Sequence, residues 1–460
     1  MNRLIKILLG TEAKKIALSF LIVILTGSIL LSLPISQKAS STATYFDHLF
    51  TSVSMVCVTG LSVLSVKDTY SPFGQIIGII LMQIGGLSLM TFMYVSIVYM
   101  KKRLSLKSQY LFQSTINRST NEDLRDFLRF MLISTVFVEF MIFIILSTQF
   151  IPERGWSQGL FDSFFISVSA FNNAGFDNLG TTSLMNYHNN SIVLLSVAFS
   201  IIFAGLGFSV WYELTVLFKH YFSSKPFRLK LFFRSLSIHA KSVILTTLTI
   251  LIMGTVVSWL IERNNPQSIG NFSLYDQWVN SFFHTVSMRT AGFSAFDFTQ
   301  TKSATNFIYL IQMVIGGSPG GTAGGIKITT FIIIMMYLKA ELKGNSFITL
   351  FKRTISLDLF RRAISVLAFY MFTLLIGFFL LLLIHPELNA FHLFFESVSA
   401  LSTVGVSANM TGQLSRAGHW VIIALMFLGR VGPLTVFVSL TLKQENKDDV
   451  EHAQADLLIG

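Results

Sequence analysis

The feature that most constrains the fold is a series of long apolar segments. A bilayer core of about 30 Å requires about 20 apolar residues per helix, and eight segments reach that length. They lie near 16–34, 73–99, 127–150, 191–218, 241–261, 305–338, 363–384 and 418–442. Charged residues make up only 12% of the 460 residues, about half of their share in soluble domains. We therefore expect an all-α polytopic membrane protein whose first span is retained.

Four shorter apolar segments alternate with the long ones. They lie near 46–58, 161–172, 275–288 and 391–402. Segments of about 10–14 apolar residues are too short to span a bilayer and suit re-entrant helices. The pattern predicts four units, each a span (M1), a re-entrant pore helix (P) and a second span (M2). Their expected bounds are 1–100, 101–219, 220–339 and 340–442, followed by a cytoplasmic tail, 443–460.

Basic residues predict the orientation of these spans. The N-terminus, the connectors between units and the tail hold 25 of the 34 Lys and Arg, whereas the segments with the short helices hold seven. Cytoplasmic loops carry the excess of Lys and Arg, so both termini are expected on the cytoplasmic side and the short helices enter from outside. The basic residues behind the net charge of +11 therefore indicate the orientation of the chain in the membrane and not a nucleic-acid-binding surface. Because the connectors are short, a soluble regulatory module would have to be another chain.

The four short segments share a sequence pattern. They read HLFTSVSMVCVTGL, SFFISVSAFNNAGF, SFFHTVSMRTAGF and LFFESVSALSTVGV, with glycines at Gly60, Gly175, Gly292 and Gly405. Glycine adopts backbone dihedrals closed to other residues and allows close backbone approach. Short helices ending at such glycines could turn four sets of carbonyls toward one axis, where they would replace the hydration shell of an ion. The alternative is that each glycine only caps a helix.

The sixth span is interrupted in its middle. The sequence IGGSPGGTAGGIK has six glycines and a proline within 316–325, which cannot continue a helix. Irregular backbone at that depth is tolerated only inside protein or along a cavity. We expect it to lie just cytoplasmic to the carbonyl ring and to act as a gate; the alternative is a structural kink. The gate candidates are Gly316, Gly317, Ser318, Gly320, Gly321, Thr322, Gly324, Gly325 and Lys327.

Arg430 is the other gate candidate. It lies 25 residues after Gly405, an offset that matches the distance from Gly292 to the glycine loop. A lone arginine within a span is expensive unless it finds acceptors in the bundle interior. We expect Arg430 to hold the loop through its carbonyls and to add a positive barrier; the alternative is that it only braces helices. Glu139 is expected to have an internal partner, and Arg289 to brace the third short segment.

Taken together, these motifs resemble the Ktr/Trk/HKT superfamily of potassium transporters, and most closely its KtrB-type bacterial membrane subunits. The matching residues are the four short segments, GGSPGGTAGGIK and GRVGPLT. The resemblance implies four M1–P–M2 repeats in pseudo-fourfold symmetry around one pore, with 316–325 as the gating loop beside Arg430. It also implies a K⁺ selectivity filter at Val58, Thr59, Gly60, Asn173, Ala174, Gly175, Thr290, Ala291, Gly292, Thr403, Val404 and Gly405.

The resemblance carries further expectations about partners and localisation. It implies a homodimer in the bacterial plasma membrane, docked on a cytoplasmic ring of KtrA-like RCK subunits that bind the nucleotide, with Na⁺ as an activator. In sodium-selective plant relatives a serine replaces the first filter glycine, so Gly60 favours K⁺. A similar C-terminal end contributes to the dimer interface in KtrB-like proteins, although the tail here ends in ADLLIG.

Three other functions are open to a chain of this kind. A membrane enzyme would need paired intramembrane carboxylates, a His cluster or a nucleophile with its base, and the sequence places none at a shared depth. An alternating-access cation symporter is a closer rival, because carriers also have repeats and broken helices. Four equivalent re-entrant segments favour one central axis instead. A Na⁺-permeable pore remains a third alternative.

Overall fold

The computed structural model describes residues 12–87, 121–223 and 229–432. In these ranges the chain forms sixteen α-helices and one short antiparallel hairpin. The helices are α1 (Glu12–Ser32), α2 (Tyr45–Cys57), α3 (Val66–Thr69), α4 (Pro72–Gly86), α5 (Asn121–Arg154), α6 (Trp156–Phe171), α7 (Ser191–Gly205), α8 (Phe208–Ser223), α9 (Leu229–Ser235), α10 (Ile238–Glu262), α11 (Leu274–Ser287), α12 (Ser303–Val314), α13 (Ile328–Leu342), α14 (Leu357–Ile384), α15 (Ala390–Leu401) and α16 (Arg416–Val431). The hairpin pairs β1 (Thr349–Leu350) with β2 (Arg353–Thr354).

Within the described ranges, three helices are long and apolar enough to cross a membrane by themselves. They lie in α5, α10 and α14. The pair α7 and α8 meets the same test together but is bent by 92° at its break, and α1, α4 and α15 contain shorter apolar helices. The chain is thus a predominantly helical membrane protein, as the apolar segments predicted.

Several predicted segments extend beyond the part of the chain that the structure describes. The span expected at 73–99 is described as α4 up to Gly86, and the span at 418–442 as α16 up to Val431. The connector 100–120 and the tail 443–460 lie outside the described residues. The span at 305–338 is divided into α12 and α13, as its glycines predicted.

The four helices α2, α6, α11 and α15 coincide with the predicted re-entrant segments. They have 13, 16, 14 and 12 residues, or about 18–24 Å at 1.5 Å per residue, which is shorter than a bilayer core. Polar residues begin three of them: Thr44 and Asp47 form a capping box on α2, while the side chains of Ser273 and Asn389 cap α11 and α15. Apart from Ser157, which is exposed at the start of α6, the serines and threonines in these helices are almost wholly buried, which places most of each helix inside the protein.

Two large apolar clusters surround these short helices. One contains Phe50 of α2, Leu374 of α14 and Phe395 of α15. The other contains Phe171 of α6 and Phe283 of α11. The long helices turn apolar side chains outward as well, which suits contact with lipid. The short helices therefore lie at the centre, and their C-terminal ends define the candidate site.

Candidate functional site

Each short helix is followed, one to three positions after its last residue, by a residue with left-handed backbone conformation. These residues are Val58, Asn173, Thr290 and Thr403, with φ of 56°, 57°, 65° and 51°. The amide of the next residue bonds back to a buried serine carbonyl: Thr59 N to Ser54 O, Ala174 N to Ser169 O and Val404 N to Ser399 O at 2.8 Å, and Ala291 N to Ser287 O at 2.9 Å. In the first, second and fourth segments this is the Schellman pattern of helix termination. The helices therefore end before the glycines, not at them as we expected from the sequence.

The left-handed residues are chemically unusual for that conformation. Val58, Thr290 and Thr403 are β-branched, and a positive φ is a genuine outlier for such a side chain. Strain of this kind costs on the order of 1–3 kcal/mol per residue and clusters at functional sites. The surrounding structure holds the same backbone conformation in all four segments.

The four glycines that follow these residues form a closed ring. Their φ values are 98°, 70°, 83° and 93° for Gly60, Gly175, Gly292 and Gly405. A Cβ added at any of them would meet a carbonyl oxygen of another segment: at Gly60, Ala174 O at 2.8 Å; at Gly175, Ala291 O at 2.7 Å; at Gly292, Val404 O at 2.7 Å; and at Gly405, Thr59 O. Each segment thus packs its glycine on the carbonyl that precedes the next glycine, so no side chain fits at these positions.

A cavity opens on one side of the ring. It has a volume of about 400 Å³, and all four glycines line it together with Asp177 and Asp297. Asp177 lies in the loop between α6 and α7, outside the spanning helices, and Leu179 N donates to its Oδ1 at 3.0 Å. Burial raises the pKa of Asp177 to about 6, although that hydrogen bond opposes the shift. The cavity thus presents acidic groups above the ring.

The intramembrane loop 316–325 is closed at its base by backbone pairing. Gly316 N donates to Ile326 O, and Ile326 N donates to Val314 O, both at 3.0 Å. These bonds form a short parallel bridge between Ile315 and Ile326. The interruption of the span is therefore an ordered turn whose backbone groups are paired.

The loop contacts three of the four short segments. Gly324 N donates to Thr290 Oγ1 at 3.1 Å, and Thr322 Oγ1 donates to Phe171 O at 3.4 Å. A Cβ added at Gly324 would lie 2.6 Å from Ser402 O, next to the left-handed Thr403. The loop therefore lies directly against the ends of the short helices.

The opposite side of the loop contacts the break between α7 and α8. Ser318 N donates to Gly205 O at 2.9 Å, and Phe208 N donates to Gly320 O at 3.2 Å. Gly207 has a φ of 87°, and a Cβ there would be 2.9 Å from Pro319 O. This span is bent by 92° at the break, and the bend supplies backbone groups that pair with the loop.

Arg430 joins the loop to another span. Its Nη1 donates to Thr322 O at 2.7 Å, and its Nη2 donates to Gly85 O at 2.5 Å and to Gly86 O at 3.2 Å. All three acceptors are backbone carbonyls, and no salt bridge of Arg430 occurs within the described residues. Lys327 Nζ donates to Ala323 O at 2.6 Å. Two cations thus lie against the loop carbonyls.

Glu139 has the internal partner that the sequence left unidentified. Its Oε1 accepts from Asn172 Nδ2 at 3.3 Å, and the same nitrogen donates to Gln83 Oε1 at 2.7 Å. Asn172 precedes the left-handed Asn173, so this cluster lies behind the second segment. Arg289 is 3% exposed, and its Nε and Nη2 have no hydrogen-bond partner among the residues described.

The fold and this centre define a helical membrane protein with a glycine-ringed central cavity and an ordered intramembrane loop. The chain belongs to the TrkH family of cation transport proteins, whose sequence profile matches residues 5–450. It is 36% identical to the Ktr system potassium uptake protein B of Vibrio alginolyticus, over 93% of this chain and 90% of that one. It is 33% identical to the protein of the same name from Bacillus subtilis, over 100% and 99%.

A solved structure gives the same fold. The potassium transporter TrkH from Vibrio parahaemolyticus superposes with a TM-score of 0.69, covering 93% of this chain and 85% of that one at 17% identity. The resemblance inferred from the motifs is confirmed, and the family is one of cation transporters and not of enzymes.

Proposed function

We propose that the chain is the ion-translocating subunit of a Ktr-type system and carries K⁺ into the cell through a gated, channel-like pore. The observation that carries the proposal is the ring in which four glycines pack on the carbonyls of adjoining segments. The similar proteins from Vibrio alginolyticus and Bacillus subtilis are named as potassium uptake proteins, which supports K⁺ as the cargo.

The selectivity filter in this proposal is the backbone of 58–60, 173–175, 290–292 and 403–405. Carbonyl oxygens arranged around an axis can replace the hydration shell of K⁺. The left-handed residue before each glycine turns the chain sharply, so that the backbone and not the side chains faces the ring. The acidic cavity above the ring would raise the local concentration of cations.

The gate in this proposal is the loop 316–325. Its bonds to Thr290 and to the α7–α8 break support a closed position against the inner side of the filter. Arg430 and Lys327 would hold the loop there and place positive charge in the path of a cation. Opening would require the exchange of these hydrogen bonds for others or for water.

The assembly in this proposal is a homodimer in the bacterial plasma membrane with both termini cytoplasmic. Each protomer would hold one pore built from four M1–P–M2 repeats, with bounds at 1–100, 101–219, 220–339 and 340–442. A cytoplasmic RCK ring with bound nucleotide would regulate the loop, and Na⁺ would stimulate uptake. The Ktr system names of the relatives support a regulatory partner.

Two alternatives predict different behaviour. An alternating-access symporter would couple K⁺ to a second ion with fixed stoichiometry, whereas a pore would follow the K⁺ gradient. A Na⁺-permeable relative would pass both ions at comparable rates.

Growth of potassium-uptake-deficient bacteria at low K⁺ tests the proposal, with the regulatory partner supplied. We expect wild type to restore growth and Gly60→Ser to lose it or to admit Na⁺. If wild type with its partner leaves growth unchanged, the assignment to potassium is wrong.

A further inference from the structure

A second cavity lies beside the break between α7 and α8. It has a volume of about 390 Å³ and lies between α7, α10 and α11. Its lining includes Ile202, Leu206, Ile244, Leu248, Ile252 and Trp278, and none of the described residues that line it is charged. A cavity of this composition stays free of water and favours an apolar occupant.

The surroundings of this pocket indicate what that occupant is. Leu248 and Ile252 are 50% and 62% exposed, and on the same spanning helix Leu245 and Met253 are 56% and 59% exposed. These side chains form the outer surface of a helix that is long and apolar enough to cross a membrane. The pocket is therefore continuous with a surface that faces the acyl chains of the bilayer.

A residue that lines the pocket, Leu206, is next in sequence to Gly205, whose backbone is bonded to the intramembrane loop. Ile202 lies in the last turn of α7 and Leu206 directly follows the helix, and Gly205 between them accepts a hydrogen bond from Ser318 N at 2.9 Å. Two residues beyond Leu206, Phe208 N donates to Gly320 O at 3.2 Å. Side chains that line a void lack contacts on one side, so an occupant would pack Ile202 and Leu206 in the position that pairs with the loop.

We propose that this pocket binds one acyl chain of a membrane phospholipid, and that occupancy favours the docked position of the loop 316–325. The binding part stands on the pocket itself, and the effect on gating rests on the proposed function. A ligand shifts an equilibrium only by its differential affinity for the two states. The two states here are the docked and the released loop. The affinity for the acyl chain differs between them because the bend between α7 and α8 lines the pocket and is hydrogen-bonded to the loop only in the docked state.

Photolabelling of the purified full chain tests the binding part. The probe is phosphatidylglycerol with a diazirine in one acyl chain, and labelled peptides are identified by mass spectrometry. We expect labelling concentrated on 202–206 and 244–256, and at least a fivefold loss in Leu248→Trp, whose indole fills the pocket. Leu375→Trp is the matched control, since Leu375 is 54% exposed on α14 and does not line the pocket. Uniform labelling of all outward helices, or cross-links from the pocket to another protein segment, would overturn the proposal.

K⁺ flux of the same variants in liposomes tests the effect on gating. We expect Leu248→Trp to mimic the occupied pocket and lower flux about threefold, with Leu375→Trp at the wild-type rate. K⁺ flux of the wild type should also fall as the share of phosphatidylglycerol in the liposomes is raised, whereas K⁺ flux of Leu248→Trp should stay constant. Labelling of the pocket with equal flux in all three proteins would overturn the link to the gate. Absence of K⁺ flux in wild type would contradict the proposed function instead, while the labelling result would still decide the lipid site.

Discussion

The guanidinium of Arg430 and the carbonyl of Thr322 are 2.7 Å apart, although 108 residues separate them in the chain. The same guanidinium reaches the carbonyls of Gly85 and Gly86. One side chain thus connects the intramembrane loop to a span at the opposite end of the sequence. Breaking this connection is the most direct way to release the loop.

Arg430→Ala should raise K⁺ flux about tenfold or more, because its one hydrogen bond to the loop, at Thr322 O, is worth about 1.5–3 kcal/mol and about 1.4 kcal/mol is a factor of ten. Flux into liposomes measures it. Arg430→Lys should give an intermediate rate, since an ammonium cannot reproduce the planar fork of arginine. Arg416→Ala, at the exposed start of the same helix, is the control. Equal rates in all four proteins would refute a role for Arg430 in gating.

Gly60→Ala should lower K⁺ flux at least tenfold or remove the preference for K⁺ over Na⁺. Its Cβ would lie 2.8 Å from the carbonyl of Ala174, and a side chain is strained at a φ of 98°. Gly412→Ala provides the control, because Gly412 lines the cavity above the ring with nothing within 4 Å of an added Cβ. Permeability ratios from reversal potentials would settle the comparison. A loss of selectivity in both variants would contradict the ring as the selective element.

Thr290→Val should raise flux about fivefold while selectivity is retained. The change keeps the shape of the side chain but removes the acceptor of Gly324 N, and an unpaired buried donor costs about 1–3 kcal/mol. The loop would then leave its docked position more often. Thr285→Val is the matched control, since Thr285 Oγ1 is buried with no partner among the described residues. A rise of the same size in the control would rule out the explanation.

Acidifying the solution on the side of the membrane that the cavity above the ring faces should reduce K⁺ flux. Burial raises the pKa of Asp177 to about 6, so its carboxylate is charged at pH 7 and becomes protonated as the pH falls through that value. Cation flux should drop between pH 7 and pH 5 as this charge is lost. Asp177→Asn should show the acid rate already at pH 7 and little further change. If Asp177→Asn kept the full pH dependence, another group would be responsible.

The location of the candidate site could be predicted from the sequence because the short segments and the loop each have a recognisable motif of neighbouring residues. Repeated Val-Ser and glycine motifs marked the four short segments, and six glycines marked the loop. Counting residues from Gly405 placed Arg430 at the depth of the loop, and Arg430 contacts the carbonyl of Thr322 in that loop.

The contacts that support the site could not be read in the same way. Val58 and Thr403 are β-branched, so their residue type does not predict a left-handed conformation. The packing of the whole ring, and not their own preference, holds them in it. The pairing of Glu139 with Asn172 depends on how two helices face each other. The span 191–218 is apolar apart from Glu213 and a few Ser and Thr residues, so its hydrophobicity alone does not give the 92° bend at which Gly205 is bonded to the loop.

The central claim is that K⁺ crosses a gated pore through the ring of four glycines. Reversal potentials in liposomes containing the purified chain, with Arg430→Ala to release the loop, test it most directly. We expect a K⁺ current that follows the K⁺ gradient, exceeds the Na⁺ current severalfold and is lost in the double variant with Gly60→Ala. Fixed coupling of K⁺ to a second ion, or unchanged current in the double variant, would contradict it.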